Sequence, residues 1–596
     1  MGFLLLKNEK EKLGQYITSP EVANLMISLI SSKYRHGKIL EPCFGTGVFL
    51  DLLCRAGYEE VFGYELDSSF YQMIETKFPD KISNFANIDY LKTAKHEKFD
   101  IIIGNPPYVY FNNIEPEILE PLKGHPFWID LINGEWDLLY FFIVWSIEKL
   151  NPSGELIFIT PYYWFNSTYA ASLRKYVLDQ GDFDLIIHFG EMNLFKGCAP
   201  NTIIFKFIKG KTRNPLKAIE YKERKGVLPE ITAKIEAIIR NFPEQEFEDE
   251  TYRIFYMDQF KDPYFWYLIK PSEKELCDVI ERTTLRNVPE LDLYKSSLAP
   301  KKTPLHALLD EKDLFSFNLS QSKFHPVIRN RKKWYDIPPY QNSYLKLKHV
   351  LTVFVGMVTG FDLGFRLDRE EFEILNSEEK RHVIRCVKGQ NCGRFFIDGS
   401  EYYIYLDDIT DEKLLMEKFP NFYSKLIKFK AELIKRYNIQ SKEWFHWATI
   451  RNKEVFEENF KEFKIFVPNL DRHKQSRFSL SKEEVYGSGD TLTIVSDSHS
   501  PYKPRESLKY ITAWLNSTFI QNWYKLKGSR RGHRTQYTQS YVEEMPIRLI
   551  DWQDAEEVSI YNNIVKIVDE ILELKEANRT LENEIEGNIA KLLSPK

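Results

Sequence analysis

Apolar positions in the first half of the chain fall into short continuous runs and helical stripes. Val22, Leu25, Met26, Leu29 and Ile30 share one helical face, directly after Thr18, Ser19 and Pro20. Thr18 or Ser19 can cap that helix, Pro20 suits its first turn, and Glu21 favours the dipole. Lys38-Ile39-Leu40-Glu41 predicts a strand that turns through Gly45 and Gly47 into a helix carrying Phe49, Leu50, Leu52 and Leu53. Val61 to Tyr64 and Phe85 to Ile88 predict two more short strands. Asp100-Ile101-Ile102-Ile103-Gly104 reads as a buried parallel strand, because consecutive β-branched residues suit a sheet covered on both faces. Leu138 to Leu150 predicts a long apolar helix and Glu155 to Ile159 another strand, with further runs at Leu185 to Phe189 and Thr202 to Phe207. Strands alternating with helices predict an α/β fold.

Size and composition bound that picture. A chain of 596 residues is too long for one hydrophobic core, so two or three domains are expected. Hydrophobic content of 43% and charged content of 28% are those of a soluble globular protein. The net charge of −5 excludes a uniformly basic nucleic-acid coat while permitting local basic surfaces. Six cysteines without a CxxC pair argue for a reducing compartment and against a zinc or disulfide framework. No run is long enough for a signal sequence or a membrane span, and a cytoplasmic protein is expected.

The candidate chemistry lies at the predicted strand ends. After Gly104, the residues Asn105-Pro106-Pro107-Tyr108 place an amide, two prolines and an aromatic ring just beyond a strand's carboxyl end. The prolines forbid ladder pairing and fix the backbone there, and open α/β sheets put their ligand sites at that edge. Glu41-Pro42 precedes the Gly45/Gly47 turn, whose glycines admit close approach of a ligand. Phosphate loops have no need of an acid at that point, and no Gly-Lys-Ser/Thr follows, so an NTPase is not indicated. Glu65 ends the second strand and Asp89-Tyr90 the third. An acid at the second strand suits ribose hydroxyls, and Asp89 can accept from an adenine amino group.

The order Tyr16-x-Thr18, Glu41-Pro42-x-x-Gly45-x-Gly47-x-Phe49, Glu65, Asp89 and Asn105-Pro106-Pro107-Tyr108 resembles a DNA adenine-N6 methyltransferase. More narrowly it is similar to the gamma group of restriction–modification enzymes, of TaqI type. The resemblance implies a Rossmann-like, S-adenosylmethionine-dependent methyltransferase domain. A C-terminal α+β target-recognition domain would follow. S-adenosylmethionine would be the cofactor, with Glu41, Pro42, Gly45 and Gly47 facing its methionine part. Glu65 would hold its ribose, Asp89 and Tyr90 its adenine, and Thr18 with Tyr16 would close over the methionine end beside Asn105. Asn105 and the Pro106 carbonyl would grip the amino group of an extruded adenine. Pro107 would stiffen the turn, and Tyr108 and Phe195 would stack on the base, with Phe189 the competing aromatic. Asn at position 105 favours adenine over cytosine, because N4-cytosine enzymes usually carry Ser there. Cys43 is expected to be a packed thiol, since direct transfer needs no nucleophile.

The second half is less legible. Arg329-Asn330-Arg331-Lys332-Lys333-Trp334-Tyr335 interleaves basic and aromatic residues, which suits a phosphate backbone. Lys525, Lys527, Arg530, Arg531 and Arg534 cluster around Gly528 and Gly532 and are the main DNA-contact candidates. Ile560, Ile564, Ile567, Ile571, Leu574, Asn578, Leu581 and Ile585 alternate by four and three, a heptad seam with one polar position. That seam predicts a terminal long helix, either packed on the recognition domain or used for self-association, with a monomer favoured. The expected domains are 1–245 (catalytic), 246–550 (recognition) and 551–596 (helical). No nuclease is expected here, and a separate restriction endonuclease would be a genetic partner. The expected reaction is methylation of adenine in double-stranded DNA. The alternatives are a protein or RNA amino-group methylase and a catalytically silent specificity module.

Overall fold

A computed structural model describes residues 16–93, 96–114, 116–128, 136–195, 201–263, 265–283, 345–436, 439, 442–496, 505–531 and 534–593. The chain divides into two compact units, Met1–Lys274 and Glu275–Lys596. Among the described residues, no helix is long and apolar enough to cross a membrane.

The first unit is built on one ten-stranded sheet. Its strands are β1 (Ile39–Glu41), β2 (Val61–Tyr64), β3 (Phe85–Ala86), β4 (Phe99–Gly104), β5 (Leu150–Pro161), β6 (Gly181–His188), β7 (Thr202–Lys209), β8 (Leu216–Tyr221), β9 (Phe247–Glu248) and β10 (Tyr252–Met257). They run in the order β3-β2-β1-β4-β5-β7-β6-β8-β10-β9. The half from β3 to β5 is parallel, whereas β7 inserts antiparallel between β5 and β6. Because β1 pairs with β2 on one side and β4 on the other, the strand order reverses at β1/β4. That reversal opens a crevice at the strands' carboxyl ends.

Both faces of the sheet are covered. Ile101 and Ile103 enter one hydrophobic core with helices α1 (Pro20–Ser28), α2 (Val48–Arg55) and Leu228–Arg240, whereas Ile102 enters the opposite core. The second core includes most of Leu138–Lys149, a helix buried on nearly every side. This is why the β4 run is continuously apolar and not alternating. At α1, Ser19 is the cap, its Oγ accepting from Val22 N at 3.4 Å, with Pro20 in the first turn.

The second unit holds a five-stranded, a four-stranded and a three-stranded sheet with several helices, an α+β arrangement. Three expectations need correction. The first unit does not end at residue 245, because β10 pairs with β8 over six residues and Phe247–Glu248 before it form edge strand β9. The terminal helix is two helices, Ala555–Leu574 and Arg579–Leu593, because Lys575 adopts a left-handed conformation at φ 49°. Asn578 is therefore no core seam residue: its Oδ1 accepts from Thr580 N and Leu581 N at 3.1 Å and starts the second helix. Lys525 and Lys527 lie in the last turn of helix Thr518–Lys527, directly before Gly528.

Candidate functional site

The crevice between β1 and β4 collects the strand-end residues predicted above. Asn105 directly follows β4, and its amide is fully oriented. Its Nδ2 donates to Tyr16 O at 2.8 Å and to Thr18 Oγ1 at 3.1 Å, so both amide hydrogens are engaged. Oδ1 must then face the other way, where it accepts from the Tyr108 hydroxyl. A carbonyl-type oxygen has two lone pairs, so one acceptor direction is left. The single hydroxyl hydrogen of Tyr108 is shared between that oxygen and Ile159 O, 2.8 Å away near the end of β5. Cys43 donates its thiol to Asn105 O at 3.2 Å, a packing role, and burial pushes that thiol well above its ordinary value. Pro106 is buried and Pro107 half-buried, so the turn cannot swing.

The loop beyond Tyr108 is held by a residue that the sequence suggests only as a helix start. Asp137 Oδ1 accepts from Val109 N at 3.2 Å and from Leu139 N at 2.9 Å, and the Tyr163 side chain also bonds to Asp137. Burial raises the Asp137 carboxyl, and these donors oppose the rise. The signal was the Asp immediately before an apolar helix, which reads equally as a plain N-cap.

Aromatic placement differs in part from expectation. Tyr16 stacks on Tyr108 with ring centroids 5.4 Å apart and 29° between planes, and meets Phe195 at 5.5 Å, tilted 50°. Tyr16 therefore touches both stacking candidates, while its carbonyl accepts from Asn105. Phe195 and its competitor Phe189 are both buried in the same core cluster. Of the two, Phe195 is the one in ring contact with Tyr16.

The acids form the other half of the crevice. Glu41 is 2% exposed, and its Oε2 has no hydrogen-bond partner. Burial, and next the neighbouring Glu65, raises its carboxyl well above the ordinary range. Glu65 Oε2 accepts from Gly45 N at 2.7 Å and its Oε1 from Asp67 N at 2.9 Å. Burial raises Glu65, and those backbone donors hold it down. Gly45 (φ 49°) and Gly47 (φ 72°) take the left-handed turn. A Cβ on Gly45 would meet nothing within 4 Å, whereas one on Gly47 would meet Ile74 Cδ1 at 2.2 Å. Pro42 is buried beside them. Asp89 caps the turn Tyr90–Lys92 through Leu91 N at 3.0 Å, with Lys92 3.7 Å away. Tyr90 is 2% exposed, stacks on Tyr64 and bonds Ser146 Oγ at 3.0 Å, so it is a core residue beneath the crevice. Two apolar side chains at the strand ends, Leu66 (55% exposed) and Ile88 (43%), were not singled out from sequence. Each follows directly on a strand-end acid or precedes one, the only sequence signal available.

In the second unit, Lys527 Nζ is paired with Glu281, to which Trp523 Nε1 also donates at 2.8 Å. Lys525 lies 3.4 Å from Asn522 Oδ1. Arg530 and Arg531 form one strand of a hairpin, Arg531 opposite Arg534. Arg329 and Arg331 lie outside the described residues.

The crevice fits S-adenosylmethionine by its donor chemistry. An unpartnered buried carboxylate oxygen suits an ammonium group, and open space over Gly45 admits close approach. Exposed Leu66 and Ile88 suit the faces of a planar base.

Comparisons with known proteins agree with this division of labour. The Eco57I restriction-modification methylase family model matches residues 50–195, and the TaqI-like C-terminal specificity domain matches residues 387–547. The Type II methyltransferase M.HindII of Haemophilus influenzae is 30% identical over 98% of this chain and 98% of its own length. M.MjaIV of Methanocaldococcus jannaschii is 37% identical over 37% of this chain and 72% of its own. The Type IIL restriction-modification enzyme MmeI, solved with DNA, shares the fold at a TM-score of 0.53 and 13% identity, over 96% of this chain and 72% of that one.

Proposed function

Because the chain belongs to the Type II methyltransferases of restriction–modification systems, we propose that it methylates the N6 amino group of an adenine flipped out of double-stranded DNA, with S-adenosylmethionine as donor. The observation that carries this reading is the oriented Asn105 amide at the β1/β4 crevice, its hydrogens engaged by Tyr16 O and Thr18 Oγ1 and its oxygen accepting from Tyr108 with one lone pair to spare.

When bound, S-adenosylmethionine supplies an electrophilic methyl group on a sulfonium. Glu41 would hold the ammonium of its amino-acid part, Glu65 its ribose, and Asp89 with Leu66 and Ile88 the adenine. Asn105 Oδ1 and the Pro106 carbonyl accept the two hydrogens of the target amine, which localises the nitrogen lone pair otherwise delocalised into the ring. Fixed acceptors need no reorganisation as charge develops, and alignment of nitrogen and methyl supplies much of the acceleration. Extrusion of the base costs about a few kcal/mol, which stacking on Tyr108 beside Phe195 offsets. Among the described residues, the Asn105 amide bonds to one carbonyl and two hydroxyls, those of Thr18 and Tyr108, and none of these is a strong base.

Labelled S-adenosylmethionine offered with DNA, tRNA and protein tests the reading. Label on adenine in DNA supports it, and label confined to RNA or protein overturns it. Asn105→Ala should abolish transfer while duplex binding persists; retained turnover would remove Asn105 from the mechanism.

A further inference from the structure

In the second unit, residues 471–477 form a loop fixed around a buried carboxylate. Asp471, whose side chain is 1% exposed, accepts from Arg477 Nε at 3.0 Å and 3.1 Å and from Nη2 at 2.9 Å. It also accepts the backbone N–H of His473 at 3.0 Å, and its Oδ1 lies 2.8 Å from His473 Nδ1. Arg477 Nη1 donates onward to Cys392 O, and Arg394 Nη1 donates to Ser476 O at 3.1 Å. The Tyr537 hydroxyl donates to Ser476 Oγ at 3.0 Å, and the Gln521 amide donates to Lys474 O. These anchors hold the loop through its backbone and through Asp471, His473, Ser476 and Arg477. They leave the side chains of Arg472, Lys474 and Gln475 exposed.

A surface loop ordinarily keeps its conformational freedom, and ordering it on binding costs affinity. Here that cost has been met in folding, against the desolvation of a buried ion pair. Charge placement adds a second observation. Strand Leu470–Asp471 pairs with Arg534–Gln536, Asp471 standing opposite Thr535. The ladder ends at that pair, so Arg472 and Arg534 are the next residues along the two chains from one strand end. Like charges gathered at one strand end repel one another when no counter-charge is near. Among the described residues, none is an ion-pair partner of Arg472, Lys474 or Arg534. A rigid, uncompensated basic edge is a poor solvated surface and a good seat for closely spaced anions.

We propose that the 471–477 loop clamps the phosphate backbone of duplex DNA, with Arg472 and Lys474 as the phosphate-contacting residues on an edge shared with Arg534. This rests on the methylation reading for the identity of its partner and assigns residues to it. It also explains how a chain of net charge −5 can hold a polyanion, through a local edge and not through its total charge.

The test is the salt dependence of binding of the full chain to a short labelled duplex of random sequence. For the double variant Arg472→Gln/Lys474→Gln, the slope of log binding constant against log salt should fall by about 2, near 0.9 for each phosphate no longer neutralised. Weakening should be uniform across duplex sequences. The charge-conserving pair Arg472→Lys/Lys474→Arg should keep the wild-type slope. Lys428→Gln/Lys435→Gln, on exposed basic residues elsewhere in the unit, should leave it unchanged. An unaltered slope in the first variant overturns the proposal, as does an equal fall in the Lys428/Lys435 control. If the wild-type chain neither binds nor labels duplex DNA, the methylation reading falls with it. If it does both and the Arg472/Lys474 slope is unaltered, only the clamp is overturned.

Discussion

At the scale of single residues, the crevice is tuned by burial. Glu41 has a folded-state value above its unfolded one. Its protonated form therefore contributes stability that is complete below the unfolded carboxylate range and lost as pH rises through the raised folded value. Glu41→Gln removes that loss, so the variant should melt higher than wild type near neutral pH and lose the difference in acid. The same substitution removes a charged acceptor, so cofactor affinity should fall by roughly 10- to 100-fold, from about 1.5–3 kcal/mol for a charge-assisted hydrogen bond. A protonated Glu41 accepts from an ammonium only as a neutral carbonyl, without the charge that strengthens the bond, so wild-type affinity should tighten as pH rises, with proton release visible by calorimetry in buffers of different ionisation enthalpy. A pH-independent affinity would separate Glu41 from the cofactor. The two turn glycines should behave differently. Gly47→Ala combines a left-handed backbone with a contact at 2.2 Å on Ile74, and should lower stability by about 1–3 kcal/mol in chemical denaturation. Gly45→Ala meets no atom within 4 Å; it should leave a smaller stability loss and impair cofactor binding instead.

At the scale of elements, what could be read from sequence was whatever local pattern dictates. The triple Ile of β4 and a cap at Ser19, one of the two candidates, are fixed by neighbours in sequence and lie where that pattern puts them. The third strand, by contrast, stops at Ala86, and Asp89 caps a turn beyond it. What pattern cannot carry is a partner far away in the chain. Tyr90 follows Asp89 as a cofactor residue would, yet its ring is drawn under the sheet by Tyr64 and Phe142, and its hydroxyl by Ser146. Lys527 reads as a free cation, but Glu281 claims it. Asp137 reads as a helix cap and also holds the loop after Tyr108 through Val109 N. The tail failed for another reason: a heptad count is blind to one residue in a left-handed conformation, and Lys575 breaks the seam. Lys575→Gly should therefore stabilise the second unit by about 1 kcal/mol, and Asn578→Ala should destabilise it by about 1 kcal/mol through the lost cap. Opposite shifts of the denaturation midpoint would check both, and equal or reversed shifts would contradict the two-helix reading.

At the scale of the molecule, the sheet with its two cores and the mixed sheets of the second unit are separate compact bodies, matched by separate family models. Residues 1–274 expressed alone should bind S-adenosylmethionine by calorimetry while showing no sequence selectivity toward DNA. Selective binding by that fragment would place recognition in the first unit. The alternation of Ile101, Ile102 and Ile103 between opposite cores has a kinetic corollary. The strand that carries Asn105 is pinned only when the layers on both sides have docked, and the Asn105 amide is oriented only when the segment before α1 has closed upon it. Competence is then the last property the chain acquires. During refolding from denaturant, return of helical ellipticity should run ahead of return of methyl transfer, and a half-assembled chain should be inert and not slow.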